Sequence, residues 1–159
     1  MRLIQHLQIF LILLIFLTFN GCPYLSEYPL GQVNSAVINE KLLGYWAQSD
    51  DEEDSSEILH ILPFNDHEYL FFFLENEELS LFRVYSSIIK DHHFFNVNEL
   101  QPDYGAQQQY VFTEYQLEGD TLRLRFVEDK LFSDRKFDPA HQLSEFISNN
   151  LDNDSLFGE

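Results

Sequence analysis

Histidine and carboxylate side chains near a predicted hairpin are the residues of this chain best placed to do chemistry. His60 lies on a predicted strand, and His67 follows the Asn65-Asp66 turn that ends it. Across such a hairpin the two imidazoles could meet with the carboxylate of Asp66, and two histidines with one carboxylate can bind a transition metal. The spacing does not require such a site, and ordinary edge or surface positions are the simpler interpretation. We therefore predict no metal and no other cofactor.

The densest run of acids, Asp50 to Asp54, is followed closely by Glu57. Carboxylates of this kind bind Ca²⁺, but the run lacks the alternating ligands and the mid-loop glycine of an EF-hand loop. Contiguous like charges are more typical of a solvated loop, which is the interpretation we adopt.

The sequence contains no set of residues suited to nucleophilic catalysis. Its serines lie outside a G-x-S-x-G motif, and it has no glycine-rich loop that could hold a phosphate. We predict that the protein is not an enzyme, and metal-assisted catalysis through His60 and His67 is the last of three hypotheses.

The composition favours one folded domain rich in β structure. The chain has 159 residues, 45% of them hydrophobic, with 16 Phe and 8 Tyr. Its 27 acidic and 9 basic residues give a formal charge of −18, so we expect no nucleic-acid partner, because a polyanion would be repelled. The single cysteine, Cys22, excludes a disulfide framework.

The first 21 residues have the pattern of an export signal. Arg2 is the only charged residue before Glu27, and Ile9 to Phe19 is apolar apart from Thr18. This run matches the apolar core of a secretory signal, and it is shorter than the ~20 residues that a membrane-spanning helix needs.

The apolar run ends at Asn20-Gly21-Cys22, which resembles the lipobox of bacterial lipoproteins. In that family a small residue precedes the cysteine that becomes the lipidated amino terminus, and here Gly21 and Cys22 take those places. The resemblance implies a signal peptide over 1–21 and a protein anchored through Cys22 to a membrane of the cell envelope, facing the periplasm or the cell exterior. An uncleaved membrane helix and a conventional signal peptide are the alternatives.

Residues 22–40 are predicted to be a lipid-anchored tether, because Pro23, Pro29 and Gly31 interrupt any periodic pattern. Loose packing of the tyrosines and leucines of this segment on the domain is the alternative. The β domain then spans 41–159.

Seven short β-prone runs, separated by turn signals, follow. They cover 42–48, 57–64, 67–74, 79–89, 93–97, 110–117 and 121–127. In the last run Leu122, Leu124 and Phe126 alternate with polar residues, which predicts a strand with one face on the core and one in water. The fold class predicted is mainly β, as an antiparallel barrel or half-open sandwich of about seven strands.

A C-terminal amphipathic helix should complete the domain. Asp138 and Pro139 are typical of a helix start. Apolar residues then recur at helical spacing. They are Leu143, Phe146, Ile147 and Leu151. A short strand through Leu156-Phe157 could follow the helix.

The opening Leu43-Gly44-Tyr45-Trp46, the antiparallel strands and the late helix together resemble uncharacterised bacterial lipoproteins with a small lipocalin-like β domain. The resemblance implies a close bend at Gly44 and a Trp46 side chain that plugs one end of a barrel.

Two neighbouring runs, Ile58 to Leu62 and Tyr69 to Leu74, are apolar on both faces. A strand with one wet face should alternate, so both are predicted to be covered on both sides. The cover could be the C-terminal helix, a dimer partner or a bound apolar ligand.

From these features we expect a non-catalytic, lipid-anchored envelope protein that binds a small apolar ligand. The residues expected to line the ligand site are aromatic: Trp46, Tyr69, Phe71, Phe73, Phe95, Tyr110 and Phe112. The alternative is a structural or protein-interaction module with a filled core and an acidic surface. An open apolar cavity would favour the ligand, and an interior filled by side chains would favour the alternative.

Overall fold

The computed structural model describes residues 22–47, 57–75, 77–100, 109–132, 135, 137 and 140–158. The expected signal peptide over 1–21, the acid run over 50–54 and the helix start at 138–139 lie outside these residues.

The described chain forms one open antiparallel sheet of eight strands, which confirms the predicted fold class. The strands are β1 (Leu25–Ser26), β2 (Gly44–Ala47), β3 (Ile58–Pro63), β4 (Tyr69–Glu75), β5 (Glu78–Ile89), β6 (His92–Glu99), β7 (Tyr110–Glu118) and β8 (Thr121–Phe126). The order across the sheet is β1-β7-β6-β5-β4-β3-β2, and β8 also pairs with β7. From β2 to β8, strands that are consecutive in the chain pair antiparallel with each other, so this part of the sheet is a meander.

The β7–β8 hairpin forms at the predicted place, with Glu118 opposite Thr121 and Gly119 at a φ of 60° in the turn. The prediction that Leu122, Leu124 and Phe126 all face the core is wrong. Leu122 is half-buried, but Leu124 is 39% exposed and Phe126 is 52% exposed. The reason is that β8 lies at the edge of the sheet, where the core covers only the start of the strand.

The segment from Cys22 to Leu42 packs on the sheet. Leu25 and Ser26 pair with Val111 and Tyr110, which adds a strand that the sequence did not predict. Leu30 is fully buried, and its N–H donates a hydrogen bond of 2.6 Å to the Oδ1 atom of buried Asn96. Short 3-10 helices follow at Val33–Ser35 and Glu40–Leu42. Of the two alternatives for this segment, the described residues therefore show packing on the domain.

The helix α1 (Ala140–Asn150) covers one face of the sheet, which we call the helix face. Its Leu143 and Ile147 are fully buried in one cluster with Phe94 of β6 and Phe112 of β7. The chain then passes through a 3-10 helix, Asp154–Leu156, and Phe157 forms an isolated antiparallel bridge with Val127. The C-terminal residues thus close the side of the same cluster.

The opposite face of the sheet has a core of its own. It consists of Leu42, Ile61, Tyr69, Phe71, Val84, Phe95 and Tyr115. Gly44 begins β2 with a φ of 129°, a conformation that a residue with a Cβ rarely adopts. The half-buried Trp46 donates from Nε1 to the Leu42 carbonyl at 2.9 Å.

Candidate functional site

Five of the seven candidate ligand residues lie on the opposite face of the sheet. They are Trp46, Tyr69, Phe71, Phe73 and Phe95, as the strand register places them. Tyr69, Phe71 and Phe95 are buried and pack ring against ring, with Phe71 and Phe95 edge to face at 5.1 Å between centroids. The Tyr69 hydroxyl oxygen accepts a hydrogen bond of 2.7 Å from the Asn39 N–H. These rings fill the space that an apolar ligand would need.

The other two candidates, Tyr110 and Phe112, lie on the helix face. Phe112 is fully buried under the helix, with the Tyr24 ring 6.3 Å away between centroids. Tyr110 is half-buried and lines a cleft. The structure therefore does not bring the seven aromatic residues together around one space.

The histidines considered for a metal site make other contacts. The His60 ring stacks on the Tyr45 ring at 3.8 Å between centroids, and the His67 Nδ1 atom lies 2.8 Å from the Ala36 carbonyl oxygen. Within the residues that the structure describes, no group of three or more His, Cys, Asp or Glu side chains is arranged to hold a metal ion.

An apolar patch lies on the helix face, on strands β2 to β5, away from the cluster that the helix covers. The strand register places nine side chains there: Tyr45, Ile58, His60, Leu62, Leu70, Phe72, Leu74, Leu79 and Leu81. All nine are at least partly exposed; Tyr45 is 76% exposed and Leu79 is 59% exposed. We call these nine residues the apolar surface.

No member of the apolar surface is an acid, although the chain has 27 acidic residues. The exposed acids Glu75 and Glu78, a cross-strand pair, come directly after Leu74 and directly before Leu79, but the register places their side chains on the opposite face of the sheet. The sequence showed that β3 and β4 are apolar on both faces. It did not show that the helix would cover β6 and β7 instead, because that choice depends on contacts distant in sequence.

A cleft of about 430 Å³ lies on the helix face between residues 29–34 and the sheet. Buried Glu68 sits on one side, where Arg83 donates to its two carboxylate oxygens at 2.7 and 2.6 Å. Tyr85 and Tyr110 also line the cleft, and burial raises the pKa of both phenols. The cleft therefore offers protonated hydroxyl groups beside an ion pair and has a polar lining. No motif in the sequence indicated it.

Replacing Glu68 with glutamine should lower the free energy of unfolding at neutral pH by about 1–2 kcal/mol, because charged hydrogen bonds from the half-exposed Arg83 side chain are lost. Burial favours a higher pKa for Glu68, but hydrogen bonds from Arg83 and Asn65 outweigh it, so the pKa lies below its ordinary value of 4.5. The stabilisation from the carboxylate is complete above that value and is lost as pH falls through the lowered pKa. The difference between Glu68→Gln and the unchanged protein should therefore vanish in acid.

Urea unfolding between pH 3 and pH 7 measures this difference. The exposed Glu99 provides a control, since Glu99→Gln should leave the curve nearly unchanged. A Glu68→Gln deficit that persists undiminished at the lowest pH would contradict the assignment.

A second buried carboxylate, Glu114, joins three strands. The His92 Nδ1 atom lies 2.5 Å from its Oε1 atom, and Arg125 donates to its Oε2 atom through Nε at 2.8 Å and through Nη2. The Arg125 guanidinium also lies 4.2 Å from the centroid of the Phe157 ring. This arrangement compensates the buried charge and ties β6, β7 and β8 to the C-terminal segment.

Comparison with known proteins finds no matching family model, no similar curated protein and no similar solved structure. Within the described ranges, no helix has both the length and the apolar character needed to cross a membrane. The protein is thus defined by its own architecture: an open, meandering antiparallel sheet with one face partly covered by a C-terminal helix.

Proposed function

We propose that this protein is a non-catalytic, lipid-anchored component of the bacterial cell envelope that docks a partner protein through the apolar surface. The observation that carries the proposal is the contrast between the two faces of β3 and β4. On one face Ile61, Tyr69 and Phe71 are buried in a filled core. On the other face the apolar side chains remain at least partly exposed.

The composition of the apolar surface supports a protein partner. Interface centres are depleted in charged residues and enriched in aromatic ones, and large apolar patches on soluble proteins often mark interaction sites. Here Tyr45, His60 and Phe72 lie in one cross-strand row, with His60 6.1 Å from Phe72 between ring centroids. This row provides a flat aromatic centre for a partner to pack against.

The charge of the chain indicates what kind of partner would fit. A second copy would also carry a formal charge of −18 and would be repelled at long range. The same net negative charge would instead attract a partner that carries basic groups. We therefore propose a partner with an apolar contact area bordered by Lys or Arg.

Site-specific photo-crosslinking in intact cells tests the proposal. A photoreactive side chain at Leu79, on the apolar surface, should give one discrete adduct larger than the protein. The yield of this adduct should fall as the ionic strength rises, because the charge attraction is screened. Ile88 provides a matched control, since it is 63% exposed on the same strand but points to the opposite face.

Equal crosslinking at positions 79 and 88, or none at position 79, would contradict the docking proposal. An adduct with twice the mass of the chain would identify a second copy and contradict the proposed kind of partner.

A small ligand is the second candidate function, favoured by the cleft beside Glu68 and Arg83. Tyr110, one of the residues expected to bind a ligand, lines this cleft. Its polar lining fits a hydroxylated molecule better than the apolar ligand expected from the sequence. Native mass spectrometry reports a retained small molecule or a second protein by mass and separates the two candidates. The protein used should retain Leu25 and Ser26, because they form β1.

A further inference from the structure

The chain is fixed to one edge of the sheet from the first described residue onward. The Cys22 carbonyl accepts a hydrogen bond of 3.0 Å from the Asp129 N–H, and the Tyr24 N–H donates to the Val127 carbonyl at 2.8 Å. Pro23 forms a bridge with Glu128 between these two contacts. The apolar run 9–19 ends just before this point in the sequence. Whether a lipid on Cys22 or the apolar run holds the protein at the membrane, few residues separate that attachment from the edge of the sheet.

Three exposed apolar side chains lie on the same edge. Leu25 is opposite Val111, Phe126 is opposite Thr113 and Leu124 is opposite Tyr115, so they occupy successive rows on one face of the sheet. They are Leu25 (51% exposed), Leu124 (39% exposed) and Phe126 (52% exposed). We call them the edge strip. Leu25 follows Cys22 by three residues, so it lies within about 10 Å of the attachment point along an extended chain.

Three basic side chains lie along or next to the same edge. The side chains of Arg123, Arg125 and Lys130 are 66%, 46% and 45% exposed, and each pairs with one acid. Arg123 and Arg125 project from the helix face, so they flank the edge strip from the other side of β8. Anionic phospholipid headgroups attract the exposed parts of such side chains, whereas they would repel the acidic remainder of the chain.

We propose that the edge strip and its basic neighbours rest on the phospholipid bilayer. Apolar side chains beside partly exposed Arg and Lys are typical of a protein surface that lies at the level of the lipid headgroups. This orientation would direct the apolar surface on β2 to β5 away from the anchored edge, since those strands lie at the other side of the sheet. The inference rests on the membrane attachment in the proposed function, but not on the identity of the docked partner.

Fluorescence quenching by brominated lipids tests the orientation. The full-length protein, processed in cells, is purified from membranes and reconstituted into vesicles of phosphatidylcholine and an anionic phospholipid, with or without bromine on the acyl chains. Phe126→Trp adds a reporter on the edge strip, and Leu79→Trp adds one at a similarly exposed position on the apolar surface. The native Trp46 gives the common background. We expect brominated lipids to reduce the added emission of Phe126→Trp roughly twofold, because an indole at the headgroup level lies near the acyl chains. They should leave the added emission of Leu79→Trp unchanged.

A second reporter, Leu124→Trp, should be quenched in the same way, and it guards against a local distortion at position 126. Quenching at position 79 that equals or exceeds quenching at position 126 would overturn the proposed orientation, as would an absence of quenching at both edge positions. Protein that never associates with the vesicles would overturn the membrane attachment itself. The two failures are thus distinguishable by whether the protein floats with the vesicles.

Discussion

Replacing Phe112 with alanine should lower the free energy of unfolding by about 3–5 kcal/mol, because the change removes a buried ring and leaves a cavity. Phe112 is fully buried in the cluster that joins the sheet to α1, together with Phe94, Leu143 and Ile147. The residues around Phe112 come from distant parts of the sequence. A local rearrangement would therefore fill little of the cavity that Phe112→Ala leaves. A loss of this size is a large fraction of the stability of a single domain.

Phe126 provides a matched control for the same chemical change. It lies on the neighbouring strand opposite Thr113, the residue next to Phe112, and it is half-exposed. Phe126→Ala should therefore cost less than about 1 kcal/mol. Urea unfolding followed by circular dichroism measures both variants, with each made in a chain that begins at Pro23 so that lipid does not interfere. A loss at Phe112 no larger than the loss at Phe126 would show that Phe112 is not a core residue.

The elements that the sequence predicted well are those whose pattern is local. The alternation over 121–127 and the Glu118-Gly119-Asp120 turn predict the β7–β8 hairpin, and the spacing of Leu143 and Ile147 predicts α1. β1 was not predicted, because two residues next to Pro23 and Pro29 carry no periodic signal. Leu25 and Ser26 become a strand only because β7 offers an unpaired edge beside Val111.

The placement of surfaces could not be predicted in the same way. Periodicity shows which side chains share a face of a strand, but not which face another element covers. Leu124 and Phe126 follow the pattern of a core face and yet are exposed, because β8 lies at the edge of the sheet. Phe72 and Leu81 remain partly exposed because α1 packs on Phe94 and Phe112 instead. Both candidate surfaces therefore depend on long-range packing.

Replacing Cys22 with serine should abolish acylation and remove the lipid anchor from the protein. Each buried methylene of an acyl chain contributes about 0.8 kcal/mol, so several chains anchor a protein almost irreversibly, and the variant should lose that contribution entirely. The fold should be unaffected, because the Cys22 side chain is free and exposed. Its main-chain carbonyl, which accepts from the Asp129 N–H, is retained in Cys22→Ser.

Labelling cells with a radioactive fatty acid measures the attachment directly, and fractionation of the same cells measures its consequence. The unchanged protein should carry the label, lack residues 1–21 and sediment with membranes, and Glu27→Gln should behave identically because residue 27 lies outside the lipobox-like segment. Cys22→Ser should carry no label. An unchanged protein without label, or one that retains residues 1–21, would contradict the lipid anchor and leave the apolar run 9–19 as the membrane attachment. In that case the chain would still meet the bilayer just before Cys22. The quenching experiment would then test the orientation of the edge strip independently of the lipid anchor.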